Sequence, residues 1–409
     1  MSIRWITPML GTGPALLVRQ ESGLNIIDVR DLVDKAGNRA DAVRLKIIEG
    51  SESLRAGKKT VVCCDYGISR SNAVAVGILA MYESLPFETA MRRVLEATDE
   101  KEIKVDTLHA VRRALGEDRR NAHHEKLHIL VTGGAGTLGK PVRQKLSEQF
   151  EVIAPNRMEL DIQRGGAQLD LIAGERQIDC IVHLAAPRVY TSNIALGDTL
   201  SMLRNVLDVC VARDIKLIYL SSFEVYSGYR SSQLMADESL PMFPKGPYAE
   251  TKYLCEILIE HCRRTQGLRC ALLRSSSVYG AGSDRPKFIY SFIDKIKRSQ
   301  PIVTHRYNNG LPALDLLYID DLVMAVSMAA GSNFSGNLNI GTGVTTSTKK
   351  IAEILRDLIG GQVDINSILM GSDTACIAMD AGKAQEKLGW QATIGIEQGL
   401  QFILSNCKN

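Results

Sequence analysis

The amino-acid sequence predicts an α/β protein in two parts, of which the second is a doubly wound parallel sheet. Two observations predict this class: apolar stretches at residues 59–63 and 127–132 each run into a glycine-containing loop, and each loop is followed by a helical pattern. A third is the presence of further buried-strand patterns at residues 178–186 and 215–222, each preceded by a segment of helix length. Short apolar runs that alternate with helices are typical of parallel sheets covered on both faces.

The composition is that of an ordinary globular protein. The chain has 409 residues, of which 45% are hydrophobic and 23% charged, with a net charge of +3. This balance does not favour a nucleic-acid partner or an anionic membrane surface, and no apolar run approaches the roughly 20 residues of a membrane span. Nine cysteines without a CxxC pair indicate reduced thiols. We therefore expect a cytoplasmic protein, and we predict no metal site.

A charged stretch divides the chain. Residues 116–125 lack an apolar period and are typical of a solvated connection between folded parts. The sequence therefore predicts an N-terminal domain at residues 1–115, a linker at residues 116–125 and a C-terminal domain at residues 126–409.

The loop at residues 64–71 has the features of an anion site. A strand that passes through a tight loop into a helix aims several backbone N–H groups at one point, at the positive end of the helix dipole. A cysteine at the edge of such a loop, here Cys64, should have a lowered pKa. Arg70 offers a planar fork for two phosphate oxygens, and Ser71 could donate a hydrogen bond to the sulfur.

This loop, CDYGISRS, resembles the Cys-x5-Arg-Ser signature of dual-specificity and related protein tyrosine phosphatases, and residues 6–10 and 86–90 are also similar to that family. The resemblance spans most of residues 1–115 and implies a phosphatase-like α/β domain that acts on a phosphorylated substrate. It implies that Cys64 is the nucleophile, forming a phosphocysteine, and that Arg70 binds the phosphoryl group. The implied phosphate-binding residues are Asp65, Tyr66, Gly67, Ile68, Ser69, Arg70 and Ser71.

Other interpretations of this domain stay open. Cys63 stands where the family usually has His. The general acid is undecided between Asp41 and Glu49, because we expect residues 44–50 to form a strand and loop, with no room for a full helix before Cys64. Residues 25–31 also resemble rhodanese domains. A structural cysteine, or an anion-binding domain without catalysis, are the alternatives to a phosphatase.

The glycine loop of the C-terminal domain predicts a dinucleotide site. Residues 133, 134, 136 and 139 are all glycine and lie between a strand and a helix, where the backbone can approach a pyrophosphate at the helix N-terminus. After the next strand, residues 151–154, the chain has Asn156 and Arg157 and no adjacent acid. Because an Arg in this place can hold a 2′-phosphate, the sequence favours NADP over NAD.

A tyrosine and a lysine predict acid–base chemistry. Tyr248 and Lys252 lie one turn apart on one face of a predicted helix. An ammonium beside a phenol favours the phenolate, so Tyr248 can act as an acid or base near neutral pH.

The ordered motifs TGGAGTLG, HLAA, SSFEVY, YAETK and YIDD resemble the extended short-chain dehydrogenase/reductases, the NAD(P)-dependent nucleotide-sugar epimerase/dehydratase superfamily. The resemblance covers nearly all of residues 126–409 and implies a Rossmann core followed by a small C-terminal substrate lobe. It implies that Ser222 holds a substrate oxygen, that Tyr248 is the acid/base and that Lys252 orients the nicotinamide ribose. The implied cofactor-binding residues are Gly133, Gly136, Thr137, Leu138, Gly139, Asn156, Arg157, Asp161, Ile162, Leu184, Ala185, Ala186, Tyr248 and Lys252.

The type of reaction stays open between a 4-epimerase and a 4-keto reductase acting on a sugar or nucleotide sugar. Dehydratases of the superfamily carry an Asp-Glu pair after the serine, whereas Phe223 and Glu224 follow Ser222 here, which argues against dehydration. Thr199 stands where we expect the family's Asn. Basic side chains that could bind a substrate diphosphate are Arg285, Lys287 and Arg306.

We interpret the chain as a bifunctional enzyme that could form a homodimer. The competing hypothesis is a regulator, in which an NADP-binding domain is joined to a phosphatase-like module that binds phosphate with little catalysis.

Overall fold

The computed structural model describes residues 2–35, 37–100, 102–116, 126–187, 192–280 and 286–406. Most of the predicted linker, residues 117–125, lies outside this part of the chain. Internal contacts divide the protein into two compact units. The first unit comprises Met1–His128, Arg157–Asp179 and Ser201–Ile215, and the second comprises Ile129–Asn156, Cys180–Leu200 and Lys216–Asn409.

The N-terminal part of the first unit is a small sheet with helices. Its strands lie in the order β1-β2-β4-β3, in which β2, β4 and β3 are parallel and β1 is antiparallel to β2. The elements are β1 (Arg4–Trp5), β2 (Leu10–Pro14), α1 (Ala15–Val18), β3 (Asn25–Asp28), α2 (Ala40–Arg55), β4 (Thr60–Cys64), α3 (Arg70–Glu83), α4 (Phe87–Thr98) and α5 (Val105–Ala114).

The rest of the chain alternates strands and helices. From His128 onward the elements are β5 (His128–Thr132), α6 (Gly139–Leu146), β6 (Glu151–Ile153), α7 (Ala167–Glu175), β7 (Cys180–His183), α8 (Asn193–Arg213), β8 (Lys216–Ser222), a 3₁₀ turn (Phe223–Tyr226), β9 (Leu234–Ala236), α9 (Pro247–Gln266), β10 (Cys270–Ser275), β11 (Ser277–Tyr279), α10 (Lys287–Lys297), β12 (Ile302–Tyr307), β13 (Ala313–Tyr318), α11 (Ile319–Gly331), β14 (Gly336–Ile340), β15 (Thr345–Ser347), α12 (Thr348–Ile359), β16 (Ile365–Met370), β17 (Ile377–Met379), α13 (Gly382–Leu388) and α14 (Ile396–Asn406).

Helix α2 corrects one expectation. Residues 44–50, expected to form a strand and loop, lie in the middle of this 16-residue helix. Val43, Ile47 and Leu54 are buried at helical spacing, while Arg44 and Glu49 are exposed. The apolar residues therefore follow a period of about 3.6, which predicts a helix, whereas the resemblance to the phosphatase family suggested a strand and loop here.

The six-stranded sheet of the second unit agrees with the predicted doubly wound α/β class. Its strands lie in the order β14-β10-β8-β7-β5-β6, and the pairs β14–β10, β10–β8, β8–β7 and β7–β5 are parallel. The apolar residues of these strands are almost all buried, and helices α6 and α11 contribute Val142, Leu146 and Leu322 to the same core. The strand positions are thus set by continuous apolar runs, which suit strands covered on both faces.

A buried cluster of four charges lies inside the first unit. Asp170 of α7 is fully buried between two arginines, with Oδ2 3.2 Å from Arg112 Nη2 and Oδ1 2.5 Å from Arg213 Nε. Glu88 of α4 lies 3.6 Å from Arg112 and 3.7 Å from Arg213. Arg112 also lies over the ring of Phe87, with Cζ 4.3 Å from its centroid. Two cations thus meet two anions, which is the condition for burying charge at acceptable cost.

Removal of one anion from this cluster should destabilise the protein strongly. Asp170→Asn leaves Arg112 and Arg213 with only Glu88, and we expect it to lower the free energy of unfolding by about 3–5 kcal/mol, measured by urea denaturation. The matched control is Asp41→Asn, because Asp41 forms an exposed pair with Arg39 and its loss should leave the urea midpoint unchanged. An Asp170→Asn midpoint equal to the wild-type midpoint would contradict a stabilising role.

The same carboxylate should make stability depend on acid pH. Burial alone would raise the pKa of Asp170, but Arg213 and Arg112 outweigh it and lower that pKa from 3.8 to about 2. The stabilisation is therefore complete above about pH 4 and is lost as the pH falls toward 2. We expect wild type to lose stability over this interval more steeply than Asp170→Asn.

Candidate functional site

The carboxyl edge of the six-stranded sheet provides a crevice. The chain runs from β5 to β6 on one side and then crosses to β7 on the other, so the strand order reverses between β5 and β7. Ligands of doubly wound sheets bind outside such a reversal. The loop after β5 begins with Gly133, and the loop after β7 begins with Leu184.

The glycine loop fits a dinucleotide. Gly133 has φ +72°, and a Cβ there would lie 2.7 Å from the backbone nitrogen of Ala185. The N–H of Gly136 donates to the carbonyl of Gly133 at 3.0 Å, which closes the turn before α6. Backbone therefore approaches backbone closely here, and Thr137 and Leu138, which directly precede α6, line the crevice. A pyrophosphate binds at such a helix N-terminus.

A cavity of about 610 Å³ opens at this edge of the second unit. A volume of this size is ordinary for a cofactor or small-molecule site. The structure brings eight of the sequence-predicted residues together in its wall: Thr137, Leu138, Leu184, Ala185, Ala186, Ser222, Tyr248 and Lys252.

Several lining residues were not predicted from the sequence. They include Tyr219, Glu224, the serines at 275–277 and Val278, along with Thr199 and Lys287, which were noted but given no firm role. The run of three serines at the end of β10 was a visible signal, because β10 pairs in parallel with β8 and its end therefore adjoins Ser222. Tyr219 and Glu224 gave no local signal beyond their closeness in sequence to Ser222.

Tyr248 and Lys252 lie one turn apart on α9, as expected. Lys252 Nζ is 5.8 Å from the centroid of the Tyr248 ring and donates to the carbonyl of Leu220 at 2.7 Å. Burial lowers the pKa of Lys252, while Cys255 and Glu256 act in the opposite direction. The ammonium thus lies close enough to the phenol to favour its ionised form.

Ser222 ends β8 with its hydroxyl at the cavity wall. The hydroxyl oxygen accepts a hydrogen bond from the backbone N–H of Glu224 at 3.2 Å, which holds the side chain at the start of the 3₁₀ turn. Its own hydrogen can be donated to an oxygen of a substrate. Burial raises the pKa of Glu224, which lines the same cavity.

A buried ion pair supports this wall from behind. Arg274 of β10 donates to Glu256 of α9 with Nη2–Oε2 at 2.7 Å, and both side chains are 3% exposed. Glu256 also accepts from the hydroxyl of Ser221, and Arg274 Nη1 lies 2.6 Å from the hydroxyl of Tyr226. Side chains from β8, β10 and α9 are thus held together, so that Ser222 and Lys252 have fixed positions.

His183, the histidine of the HLAA motif, is a neutral structural residue. It is buried, its Nδ1 lies 2.8 Å from the Thr132 hydroxyl, and burial followed by the charge of Lys252 lowers its pKa to about 3. It therefore adds no second cation beside Lys252 at any ordinary pH.

The other predicted cofactor residues are placed as follows. Gly139 begins α6, and Asn156 is exposed after β6. Three residues belong to the first unit: Arg157, which is exposed and donates to Gln163 at 3.2 Å, Asp161, which lies 3.4 Å from Arg164, and Ile162, which is buried. Of the basic residues proposed for a diphosphate, Lys287 lines the cavity, Arg306 is exposed on β12, and Arg285 lies outside the described residues.

The second candidate site is the loop between β4 and α3. Cys64 ends β4, and α3 begins at Arg70. The N–H of Gly67 donates to Cys64 Sγ at 3.2 Å, and the Ser71 hydroxyl oxygen lies 3.4 Å from the same sulfur. Gly67 has φ +70°, and a Cβ there would lie 2.5 Å from the backbone of Gly13. The loop is thus curled around the thiol, and only glycine fits at its closest approach to β2.

Arg70 is held by acidic side chains at the edge of this loop. Its Nη2 is 2.5 Å from Asp65, its Nε is 3.3 Å from Asp34, and its Nη1 donates to the carbonyl of Leu32 at 2.9 Å. A phosphate would therefore have to compete with two carboxylates for the guanidinium.

Among the described residues, neither proposed general acid forms a hydrogen bond or ion pair with this loop. Asp41 and Glu49 are both exposed on α2, and Asp41 pairs with Arg39. Asp34, which the sequence interpretation did not single out, is the upstream acid that contacts Arg70.

Metal and membrane features are both missing from the part of the chain that the structure describes. No cluster of three His, Cys, Asp or Glu side chains there is arranged to hold a metal ion. None of the described helices combines the length and apolar character that a membrane crossing needs.

Comparisons with known proteins match more than half of the chain to one family. Residues 129–341 match the model of the NAD dependent epimerase/dehydratase family. A candidate UDP-glucose 4-epimerase of Methanocaldococcus jannaschii is 30% identical over 313 residues, which covers 69% of this chain and 98% of that protein. A UDP-glucose 4-epimerase of Caenorhabditis elegans is 24% identical, covering 66% of this chain and 95% of its own length.

Solved structures share the fold. The Thermus thermophilus UDP-glucose 4-epimerase in complex with NAD superposes with a TM-score of 0.60 at 20% identity, over 69% of this chain and 99% of that chain. The Thermotoga maritima UDP-glucose 4-epimerase with UDP-glucose gives a TM-score of 0.60 at 24% identity, with the same coverage.

Proposed function

The chain belongs to the NAD dependent epimerase/dehydratase family, and we propose that its second unit moves a hydride between a nicotinamide cofactor and a ring carbon of a nucleotide sugar. The reaction is a 4-epimerisation or a 4-keto reduction. One observation carries this proposal: Lys252 Nζ lies 5.8 Å from the Tyr248 ring in a cavity that Ser222 also lines.

Each side chain has a defined task in this proposal. The Ser222 hydroxyl donates to the reacting sugar oxygen and fixes its position beside Tyr248. Tyr248 takes the proton of that oxygen in the oxidative direction and returns it in the reductive direction. Lys252 favours the phenolate of Tyr248 through its positive charge. The cofactor, when bound along the glycine loop, supplies the hydride chemistry.

A UDP-sugar is the substrate that the relatives suggest, because the similar proteins named above are UDP-glucose 4-epimerases. Product analysis separates the two reactions that stay open. An epimerase interconverts two sugars with no net consumption of cofactor, whereas a reductase consumes one reduced nicotinamide for each sugar.

Loss of the Tyr248 hydroxyl should abolish most of the turnover. Across a panel of UDP- and dTDP-sugars, Tyr248→Phe is expected to lower kcat by about 10²- to 10⁴-fold, the usual contribution of a positioned acid/base. The measurement is nicotinamide absorbance together with chromatography of the sugars.

Tyr253→Phe is the matched control, since this half-buried tyrosine lies on the same helix and does not line the cavity. If Tyr248→Phe turns over sugars as fast as wild type, Tyr248 is not the acid/base. Cofactor binding without turnover of any sugar would favour the regulator hypothesis instead.

We also propose NADP as the preferred cofactor, with NAD as the alternative. Support comes from the chain after β6, where Arg157 is exposed and no acid adjoins Asn156. Arg157→Ala is expected to weaken NADP binding about tenfold, the loss of a charge-assisted hydrogen bond, and to leave NAD binding unchanged. Calorimetric titration of both cofactors measures this.

Arg164→Ala removes a nearby exposed cation that pairs with Asp161 and serves as the control for general charge effects. A wild-type protein that binds NAD more tightly than NADP would show the cofactor preference to be wrong.

For the first unit we propose a cysteine-dependent phosphatase acting on a phosphorylated substrate. The curled loop supports it, because Gly67 N–H and Ser71 contact the Cys64 sulfur. The thiolate would attack phosphorus to form a phosphocysteine while the leaving group departs with a proton, and water would then release phosphate. The loop residues from Asp65 to Ser71 would hold the phosphoryl oxygens.

Substitution of the thiol tests this activity. Purified protein is expected to hydrolyse an aryl phosphate, and Cys64→Ser is expected to abolish the hydrolysis. Cys63→Ser is the matched control: burial raises the pKa of the adjacent Cys63 thiol to about 11, so it stays protonated and takes no part. If wild type hydrolyses no phosphate ester at any pH, the first unit is not a phosphatase. A homodimer and a cytoplasmic location stay predictions.

A further inference from the structure

A row of buried polar groups lies behind Lys252. Tyr219 of β8 is 2% exposed, lines the cavity, and has its hydroxyl oxygen 3.4 Å from Lys252 Nζ. The ammonium also lies 4.9 Å from the centroid of the Tyr219 ring. On the other side, the Tyr219 hydroxyl is hydrogen-bonded to Cys255, which is fully buried on α9 one turn after Lys252.

The direction of each hydrogen bond in this row is determined. An ammonium has donors and no acceptor, so the Tyr219 oxygen accepts from Lys252. The phenol hydrogen is then available to the sulfur of Cys255. Burial raises the pKa of Tyr219 well above its usual value, so the phenol keeps this hydrogen. Burial also raises the pKa of Cys255.

Among the described residues, no carboxylate forms an ion pair with Lys252. Glu256 is the acid of α9 whose charge acts on Lys252, but both of its carboxylate oxygens bind Arg274, and one also accepts from Ser221. His183 of β7 stacks on the Tyr219 ring, with 6.1 Å between ring centroids, and it is neutral. The orientation of the ammonium is therefore left to neutral oxygens.

Two acceptors from consecutive residues of β8 supply that orientation. The carbonyl of Leu220 and the hydroxyl of Tyr219 take two of the three N–H groups of Lys252. We propose that Tyr219, itself fixed by Cys255, is a positioning residue that holds the Lys252 ammonium toward Tyr248 and leaves its third N–H for a cofactor hydroxyl. This inference rests on the proposed function of the second unit and deepens it.

Chemical labelling of Lys252 tests the positioning role without requiring turnover. The full-length protein is labelled with trace acetic anhydride over a range of pH, and the modified Lys252 peptide is quantified by mass spectrometry, because only the neutral amine reacts. In Tyr219→Phe the ring remains and the acceptor is lost, which makes the charged form less stable. The labelling midpoint is expected to fall by about one pH unit, so that labelling below the midpoint rises about tenfold.

Tyr279→Phe is the control. Tyr279 is also fully buried and its hydroxyl donates to the carbonyl of Ile396 at 3.5 Å, but it does not line the cavity. Its midpoint should match wild type. Cys255→Ser keeps an acceptor for the phenol and should also match, whereas Cys255→Ala removes that acceptor and should shift the midpoint in the same direction as Tyr219→Phe.

The outcomes separate the two proposals. An unchanged midpoint in folded Tyr219→Phe overturns the positioning role, even in an active enzyme. If Tyr219→Phe does not fold, an unchanged midpoint in Cys255→Ala overturns it. If the wild-type enzyme turns over no sugar but the labelling midpoints shift as expected, the positioning role is supported. Only the proposed function is then contradicted.

Discussion

The chemistry proposed for the second unit depends on an ammonium that burial desolvates and that has no carboxylate partner among the described residues. Lys252 can favour the phenolate of Tyr248 only if its charge is not already neutralised. The structure meets this constraint because Glu256, whose charge acts on Lys252, is bound to Arg274 and Ser221. The same ion pair links α9 to β8 and β10. The contacts that keep Glu256 from pairing with Lys252 therefore also fix the cavity wall that includes Ser222.

Both candidate sites use one local device. In each, a parallel strand ends in a loop that contains glycine, and a helix follows directly: β4 leads to α3 through Cys64, and β5 leads to α6 through Gly133. Helix N-termini attract anions, so both places suit phosphate groups. They differ in what accompanies the amides. In the thiol loop two carboxylates bind Arg70, whereas the glycine loop has closely packed backbone and, within the described part of the chain, no ion pair with an acid.

Most of the second site could be predicted because its signals are local. The glycine spacing, the one-turn spacing of Tyr248 and Lys252, and the serine at a strand end are all visible in short segments. The roles of Glu256, Arg274 and Tyr219 could not be predicted in this way. Glu256 and Arg274 are 18 residues apart in sequence, and Tyr219 is 33 residues from Lys252. The wrong interpretation of residues 44–50 has a different cause: the resemblance to the phosphatase family suggested a strand and loop there, while burial follows the helical period of α2.

The charge cluster explains why the first unit is not a continuous piece of chain. Glu88 and Arg112 lie in the N-terminal part, and alone they could form one pair. Arg213 brings a second cation from α8, and Asp170 of α7 is the anion that contacts both arginines at 3.2 Å or less. A fully buried carboxylate keeps its charge only with such partners, since its lowered pKa reflects Arg213 and Arg112 together. The residues around 170 and 213 are therefore bound to the N-terminal helices by electrostatics as well as by apolar packing. No sequence pattern predicts such a contact, because each of these charges alone is typical of a solvated helix surface.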